Sequence, residues 1–530
     1  MAETGEHYDA LIVGAGLGGL TAAARLRAEG LRVAVIESDP HPGGTAYIYH
    51  RKGFDLPMGP LGFSSPELVI DILRQVGIPE PLELERVHYR LHAFGLETPL
   101  SLPYHDMITE LSAVFPREEA GISRFFGHMQ RISSMQTRLA KEGSSRSRRE
   151  ESTSAADYLD KLIKDWRLRR ILGSMGSREP YSGMTLLAAM WSLLCDKGIH
   201  YPVGGMRRLS DMLAVKVGWD PANPGDETIG AKALSSLKGD GRIGLGTEVA
   251  EIRVEGGKVR GVVLSDGSRL EADAVICNAD FKATFLRLLP RGAVPYELYR
   301  AVSGARQTAS NLQVCLGLDA SRVDLSAFSK ASRIIYRRDL DGRPPDDKGP
   351  DWGAPEIDPQ TLAGQELEAT LLSADDPALA AGGQAVLVIR VAADHGHFAR
   401  LRPQRRRRIP GYFAYKTSLA DALVKEVSGL AAGLEDAVLY MDVATPLTFE
   451  EMGGRSEGAV AGWSWDYMED TEGGAVELIR TPIAGLFMAG YQAFSMLALG
   501  GVPSAMLSGL KAAEYLLRGA GPMDDMTIPG

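Results

Sequence analysis

The chain has 530 residues, is 45% hydrophobic and 24% charged, and carries a formal net charge of -10. That length exceeds one ordinary hydrophobic core, so more than one domain is expected, and the acidic balance excludes a protein built around nucleic-acid phosphates. Cys195, Cys277 and Cys315 stand far apart without a CxxC pair, which excludes a disulfide framework and a cysteine zinc site.

Met1 to His7 is polar and acidic and has neither the basic nor the apolar part of a secretion signal. The apolar stretches Met184 to Cys195 and Leu486 to Leu510 are too short or are broken by Gly and Pro, so no transmembrane helix is expected. A cytoplasmic protein, not a secreted one, is the expectation, with peripheral membrane contact left open.

Tyr8 to Val13 reads as a buried parallel strand that runs into Gly14-Ala15-Gly16-Leu17-Gly18-Gly19. Gly14, Gly16 and Gly19 fill GxGxxG: a tight turn, a close backbone approach to a pyrophosphate, and helix-on-strand packing. An Ala-rich helix follows to Glu29, and its N-terminus would offer free N–H groups to phosphates. The next strand, Arg32 to Ile36, ends at Glu37, placed to take ribose hydroxyls and to repel the 2'-phosphate of NADP. Gly43-Gly44-Thr45 then follows Glu37, and this spacing resembles FAD enzymes of the amine oxidase and carotenoid desaturase superfamily. His50 to Phe63 is turn-rich and includes Gly59-Pro60.

Pro66 to Cys195 reads as mostly helical, with a solvated loop at Lys141 to Ser154. Pro202-Val203-Gly204-Gly205-Met206 opens a helix through Leu213. Ile243 to Leu264 alternates as strands around a turn at Glu255-Gly256-Gly257, and Ala274 to Cys277 leads into Asn278-Ala279-Asp280. Strands are expected at Gln313 to Leu318 and Ala385 to Val391, with an exposed insertion from Asp339 to Gln365. Arg405 to Arg408 lie among Phe398, Tyr412, Phe413 and Tyr415. They suit an anionic bilayer surface or a solvated face answered by acids. Thr481 to Gly490 is an apolar strand ending in glycine. Gly500-Gly501-Val502-Pro503 opens a last helix, with proline in its first turn.

Taken in order, GAGLGG, E-x5-GG, GP, P-x-GGM, ICNAD, ATP and LFMAG-x9-GGVPSAMLSG resemble the phytoene desaturase family, with its carotenoid isomerase and retinol saturase branches, from about Tyr8 to Leu517. The resemblance implies an α/β fold. A Rossmann-like two-part FAD-binding domain (1–80, 202–290 and 478–530) is interleaved with a substrate domain, helical at 81–201 and β-rich at 291–477. It implies FAD contacts from Gly14, Gly16, Gly19, Glu37, Gly43, Gly44, Thr45, Gly59, Pro60, Val249, Asn278, Ala279, Gly490, Gly501 and Val502.

Two departures stand out: Tyr491 occupies the position after Gly490 where many relatives place Asp, and Met496 to Gly500 replaces the family's His-Pro-Gly or Phe-Pro-Gly stretch. The activity implied is hydride movement between flavin N5 and a long apolar isoprenoid or polyene, by desaturation, saturation or isomerisation. An amine oxidase-like enzyme and a non-catalytic apolar-ligand flavoprotein are the competing readings. Candidate wall residues are Met184, Leu186, Met190, Trp191, Trp463, Trp465, Phe494 and Met496, and candidate catalytic groups are Tyr491 and Asp466. His395 and His397 lack a third ligand, so no metal is expected.

Overall fold

The computed structural model describes residues 7–142, 154–176, 183–220, 243–340, 342–344, 348–464, 475–496, 499–523 and 526–528. Apolar, buried runs build the centre of its first sheet, from Val33–Ile36, Leu486–Met488 and the C-terminal halves of His7–Val13 and Arg269–Cys277. His7–Val13 lies between Val33–Ile36 and Arg269–Cys277, parallel to both, with Val13 level with Ile36 and Cys277. Ile243–Gly244 extends one side, and the antiparallel strands Lys258–Leu264 and Val249–Glu255 extend the other. Leu486–Met488, from far along the chain, adds in parallel to the end of Arg269–Cys277. Val, Ile, Leu and Ala fill these strands because helices cover the sheet. Leu17–Ala28 and Gly501–Leu517 are two of them, and their mutual approach requires glycine. A Cβ on Gly509 would stand 2.0 Å from Gly18 O.

A second sheet of seven strands runs in the order Val438–Ala444, Ser310–Asp319, Gln384–Ala393, Leu367–Leu371, Arg333–Tyr336, Tyr89–Ala93 and Leu96–Pro99. Its strands alternate. Leu312, Val314, Leu316 and Leu318, with Leu387 and Ile389, face a separate core closed by the Tyr412–Val427 helix. Gln313, Cys315 and Arg390 point to the opposite side. There a Cβ on Gly317 would stand 2.5 Å from the Phe54 ring, so a bare glycine admits the Ile48–Arg51/Phe54–Pro57 hairpin. A third core, around Phe125, Phe126 and Trp191, belongs to the helices between Tyr104 and Trp191.

Several expectations change. The stretch from Pro66 to Cys195 is mostly helical among the described residues, but Leu84–Val87, Tyr89–Ala93 and Leu96–Pro99 are strands, and the last two complete the second sheet. The insertion at 339–365 is not wholly exposed, because the Pro359–Ala363 helix buries Leu362 and Ala363 in the second core. Of the basic run, Arg408 pairs with Glu451 at 3.0 Å, as Arg402 just before it does with Glu450 at 2.7 Å, while Arg405, Arg406 and Arg407 are exposed. All three cysteines are buried free thiols. The Lys141–Ser154 loop, Trp465 and Asp466 fall largely or wholly outside the described residues. Among the described residues no helix is long and apolar enough to cross a membrane.

Candidate functional site

The site begins where His7–Val13 ends. Gly14 adopts φ +95°, open to glycine at little cost, and its N–H donates to Ile36 O at 2.8 Å. Gly16 is the extended cap of Leu17–Ala28, and no side chain caps that helix, so its first N–H groups face outward. A Cβ at Gly19 would meet Gly14 O at 2.1 Å, which fixes helix and strand in contact. The carboxamide of Asn278 reaches across the loop. Its Nδ2 would lie 2.7 Å from a Cβ on Gly16 and its Oδ1 2.6 Å from one on Gly18.

Glu37, 7% exposed, closes the loop from the side. Its carboxylate accepts from the N–H groups of Ala15 (2.6 Å) and Asp39 (2.8 Å) and from Ser38 Oγ (3.1 Å). Burial and the Glu37 charge push Asp39 up to about 6, with Arg406 opposing. Gly43 N–H donates to Ala15 O at 2.8 Å, and a Cβ on Gly44 would stand 3.3 Å from Gly16 Cα, so the glycine pair packs on the loop. His41 stacks on Tyr47 at 3.4 Å, with the Arg207 guanidinium over the same Tyr47 ring. Burial lowers His41 to about 4.

The loop's other flank is the chain's far end. Gly490 has φ +99°, its N–H donates to Ser508 Oγ at 2.7 Å, and Asn278 Oδ1 would stand 3.1 Å from a Cβ there. Gly501 and Val502 open the last helix, which has no side-chain cap, and Leu499 O accepts from Ser64 Oγ at 2.6 Å. Val249 begins the outermost strand of the first sheet and is 6% exposed, while Ala279 is half-buried beside Asn278.

Charged and polar groups on the inner face of the second sheet were not singled out in the sequence, and the structure makes them prominent. They hold the segment that contains Gly59 and Pro60. Gln313 Nε2 donates to Pro57 O (3.2 Å), Arg390 Nη2 to Gly59 O, and Arg333 Nη2 to Leu61 O (2.8 Å). Alternate carbonyls of one extended segment are thus caught by three strands. Arg333, completely buried, also pairs with Asp375. Beside Gly44, Thr45 Oγ1 accepts from Arg455 Nη2 at 2.7 Å. Lone arginines inside apolar strands (VLVIRVAA, SRIIY) were the available signal, because such a residue survives burial only with dedicated acceptors.

Two candidate wall residues move into packed cores. Trp191 is 0% exposed among Phe125 and Phe126, and its indole donates to Leu172 O at 2.9 Å. Trp463 is 0% exposed against Phe281 and donates to Gln492 O at 2.8 Å. A tryptophan with its N–H satisfied and no accessible surface lines no cavity. Met190 and Met496 are half-buried, and Phe494 is buried under Lys511. Tyr491 is set deep yet keeps accessible surface. Burial raises its phenol to about 12, with Arg455 opposing, and Oη has no hydrogen bond among the described residues. His395 and His397 part company, one bonded to Glu450 and the other to Tyr415.

The chain matches the family of flavin containing amine oxidoreductases over residues 17–319. It belongs to that family. Among curated proteins it is 27% identical to prolycopene isomerase 2 of an Oncidium hybrid cultivar over 492 residues, 86% of this chain and 75% of that protein. It is 30% identical to prolycopene isomerase of Daucus carota over 325 residues, 55% of this chain and 49% of that protein, so this match spans about half the relative's length. Phytoene desaturase of Cercospora nicotianae is 29% identical over 375 residues, covering 64% and 56%. The curated relatives it matches are named prolycopene isomerase and phytoene desaturase. In fold it resembles an oxidoreductase from Methanosarcina mazei (TM-score 0.60, 17% identity, covering 96% of this chain and 100% of that one). It also resembles cyclohexylamine oxidase of Brevibacterium oxydans (TM-score 0.59, 14% identity, covering 96% and 99%). The cofactor is FAD. An uncapped helix N-terminus, a glycine cradle that any Cβ would fill and a buried acid beside it fit the group.

Proposed function

We propose that this chain moves hydride between a long apolar isoprenoid or polyene and FAD, by desaturation, saturation or isomerisation. The observation that carries the reading is the pairing of the glycine loop and Glu37 with curated relatives named prolycopene isomerase and phytoene desaturase. When bound, FAD supplies the hydride chemistry. Gly14, Gly16, Gly19, Gly43, Gly44, Asn278, Ala279 and Gly490 would seat its pyrophosphate and neighbouring sugars, with Glu37 beside the adenosine ribose. Thr45, Gly59, Pro60, Gly501 and Val502 would border the ring, and Val249 the adenine. Met190, Phe494 and Met496 are the proposed apolar wall. Tyr491 is the one candidate proton-handling group among the described residues, and a phenol raised to about 12 stays protonated at neutral pH and serves as a donor.

The test is anaerobic incubation of the flavin-loaded protein with polyenes and prenyl lipids, followed by absorbance and product chromatography. Bleaching or isomer turnover supports the reading; no change with any of them, alongside hydrogen peroxide release from amines, replaces it with amine oxidation. The exposed Arg405, Arg406 and Arg407 beside Phe413, 67% exposed, are proposed to meet an anionic lipid surface, which vesicle co-sedimentation tests.

A further inference from the structure

Two guanidinium groups beside the cofactor groove have no acid of their own. Arg390 commits Nε to Gln313 Oε1 (2.7 Å) and Nη2 to Gly59 O, while Nη1 makes no hydrogen bond among the described residues. Arg455 commits Nη2 to Thr45 Oγ1 (2.7 Å) and Nη1 to Val460 O (3.0 Å) and Ala459 O (3.3 Å), and its Nε is free among the described residues. Several other half-buried or buried cations do have an acid: Arg333 has Asp375, Arg402 has Glu450, Arg408 has Glu451 and Lys282 has Glu457.

The carboxylates in electrostatic range act on the two groups through space and form no ion pair with them among the described residues. Glu368, opposite Arg390 across the strand pair, accepts from Thr370 Oγ1 at 3.3 Å. Asp280 takes Ser456 N–H (3.0 Å), the Ser456 hydroxyl and Ala283 N–H (2.9 Å). The two arginines hold the two sides of one contact, since a Cβ on Gly59 would stand 2.5 Å from Thr45 O. They feel each other's charge, and Tyr491 lies within reach of the Arg455 field. All three side chains are largely buried yet keep accessible surface. Guanidinium without a contacting acid in such a place is costly unless a ligand supplies a closer counter-charge, and its planar fork matches a carboxylate.

We infer that Arg390 and Arg455, with the Tyr491 hydroxyl, bind an oxyanion at one end of an otherwise apolar ligand, so that the substrate is an amphipathic chain bearing a carboxylate and not a plain hydrocarbon. This rests on the reading that the groove takes a long apolar substrate.

The test compares all-trans-retinoic acid with all-trans-retinol, and hexadecanoate with hexadecanol, as ligands of the flavin-loaded protein, by flavin absorbance and calorimetry. The acid of each pair is expected to bind about tenfold or more tightly than the alcohol. The ratio should fall towards one in Arg390→Met and Arg455→Met and partly return in Arg390→Lys. If the methionine variants do not fold, Tyr491→Phe carries the test, with a ratio lowered about threefold for one lost hydrogen bond. A wild-type ratio of one overturns the inference, as does a ratio that survives the substitutions. Loss of the flavin–sulfite adduct in both methionine variants, with the ratio unchanged, also overturns it and assigns the cations to the flavin. The hexadecyl pair reads head-group preference without a polyene, so a failure of polyene turnover and a failure of oxyanion binding are distinguishable.

Discussion

Gly19 has no room for a side chain, because a Cβ there would meet a carbonyl oxygen at 2.1 Å. Backbone cannot yield as a flexible side chain does, so Gly19→Ala must lift the helix off the strand, at a cost of about 1–3 kcal/mol or more. The expected outcome is a lower melting temperature and a substoichiometric FAD:protein ratio; a variant that keeps both refutes the contact. Two titratable neighbours set opposite pH slopes. Asp39, raised to about 6, keeps a proton in the folded state that the unfolded chain releases above 3.8, so its contribution is lost as pH rises towards 6. Asp39→Asn should therefore raise the melting temperature at pH 8 and change little at pH 4. His41, lowered to about 4, is protonated in the unfolded chain from 6.5 downward, so stability is lost as pH falls from 6.5 towards 4. His41→Phe keeps a ring against Tyr47 and should flatten that acid limb. Melting curves from pH 4 to 8 on both variants check the two signs together.

At the scale of elements, the side chains that cross from the second sheet to the Pro57–Leu61 carbonyls replace backbone pairing for a segment without a strand partner at Gly59. Arg333 is the most committed of them, with 0% exposure and Asp375 as its acid. Arg333→Met would strand that carboxylate and leave Leu61 O unpaired, so unfolding in urea should show a loss of about 3–5 kcal/mol. Arg333→Met with Asp375→Leu should recover much of it, because replacing a whole buried pair costs less than breaking one. If the double variant is no better than the single, the loss comes from the Leu61 contact. This layer is also where the sequence was hardest to read. The glycine loop, the first sheet and the closing helix declare themselves through local apolar runs, glycine spacing and a proline in a first turn. LERV, YRLHA and LETP are short and charged, and they become strands only through distant partners, LERV through Ile199–Pro202 and the YRLHA–LETP pair through Arg333–Tyr336. A polar face turned towards an interior groove resembles a solvated face in one dimension. For the same reason the sequence suggests Trp191 and Trp463 as a cavity wall, whereas an aromatic's neighbours are set by tertiary packing, which spacing does not encode.

At the scale of the molecule, elements of the first and second sheets meet at the proposed cofactor groove, where Gly59 packs on Thr45. The glycine loop, Glu37 and Gly490 belong to the first; Gly59 and Thr45 are held by arginines from the second and from the turn after Met452. A ligand running the length of that groove touches both, so binding should stabilise both and not the glycine loop alone. With no affinity for the unfolded chain, FAD at a hundred times its Kd adds about 2.7 kcal/mol, and the melting temperature rises with the logarithm of its concentration. Hydrogen exchange then separates the two possibilities. Amides of Gly14–Gly19, of the Leu56–Leu61 segment and of Arg455–Val460 should all slow when FAD is added. Those of the helical core around Phe125 and Phe126, which packs away from the groove in its own cluster, should not change. Protection confined to Gly14–Gly19 and Gly43–Gly44 would mean that the second sheet does not meet the cofactor. In that case Arg390 and Arg455 would meet the substrate without meeting the cofactor.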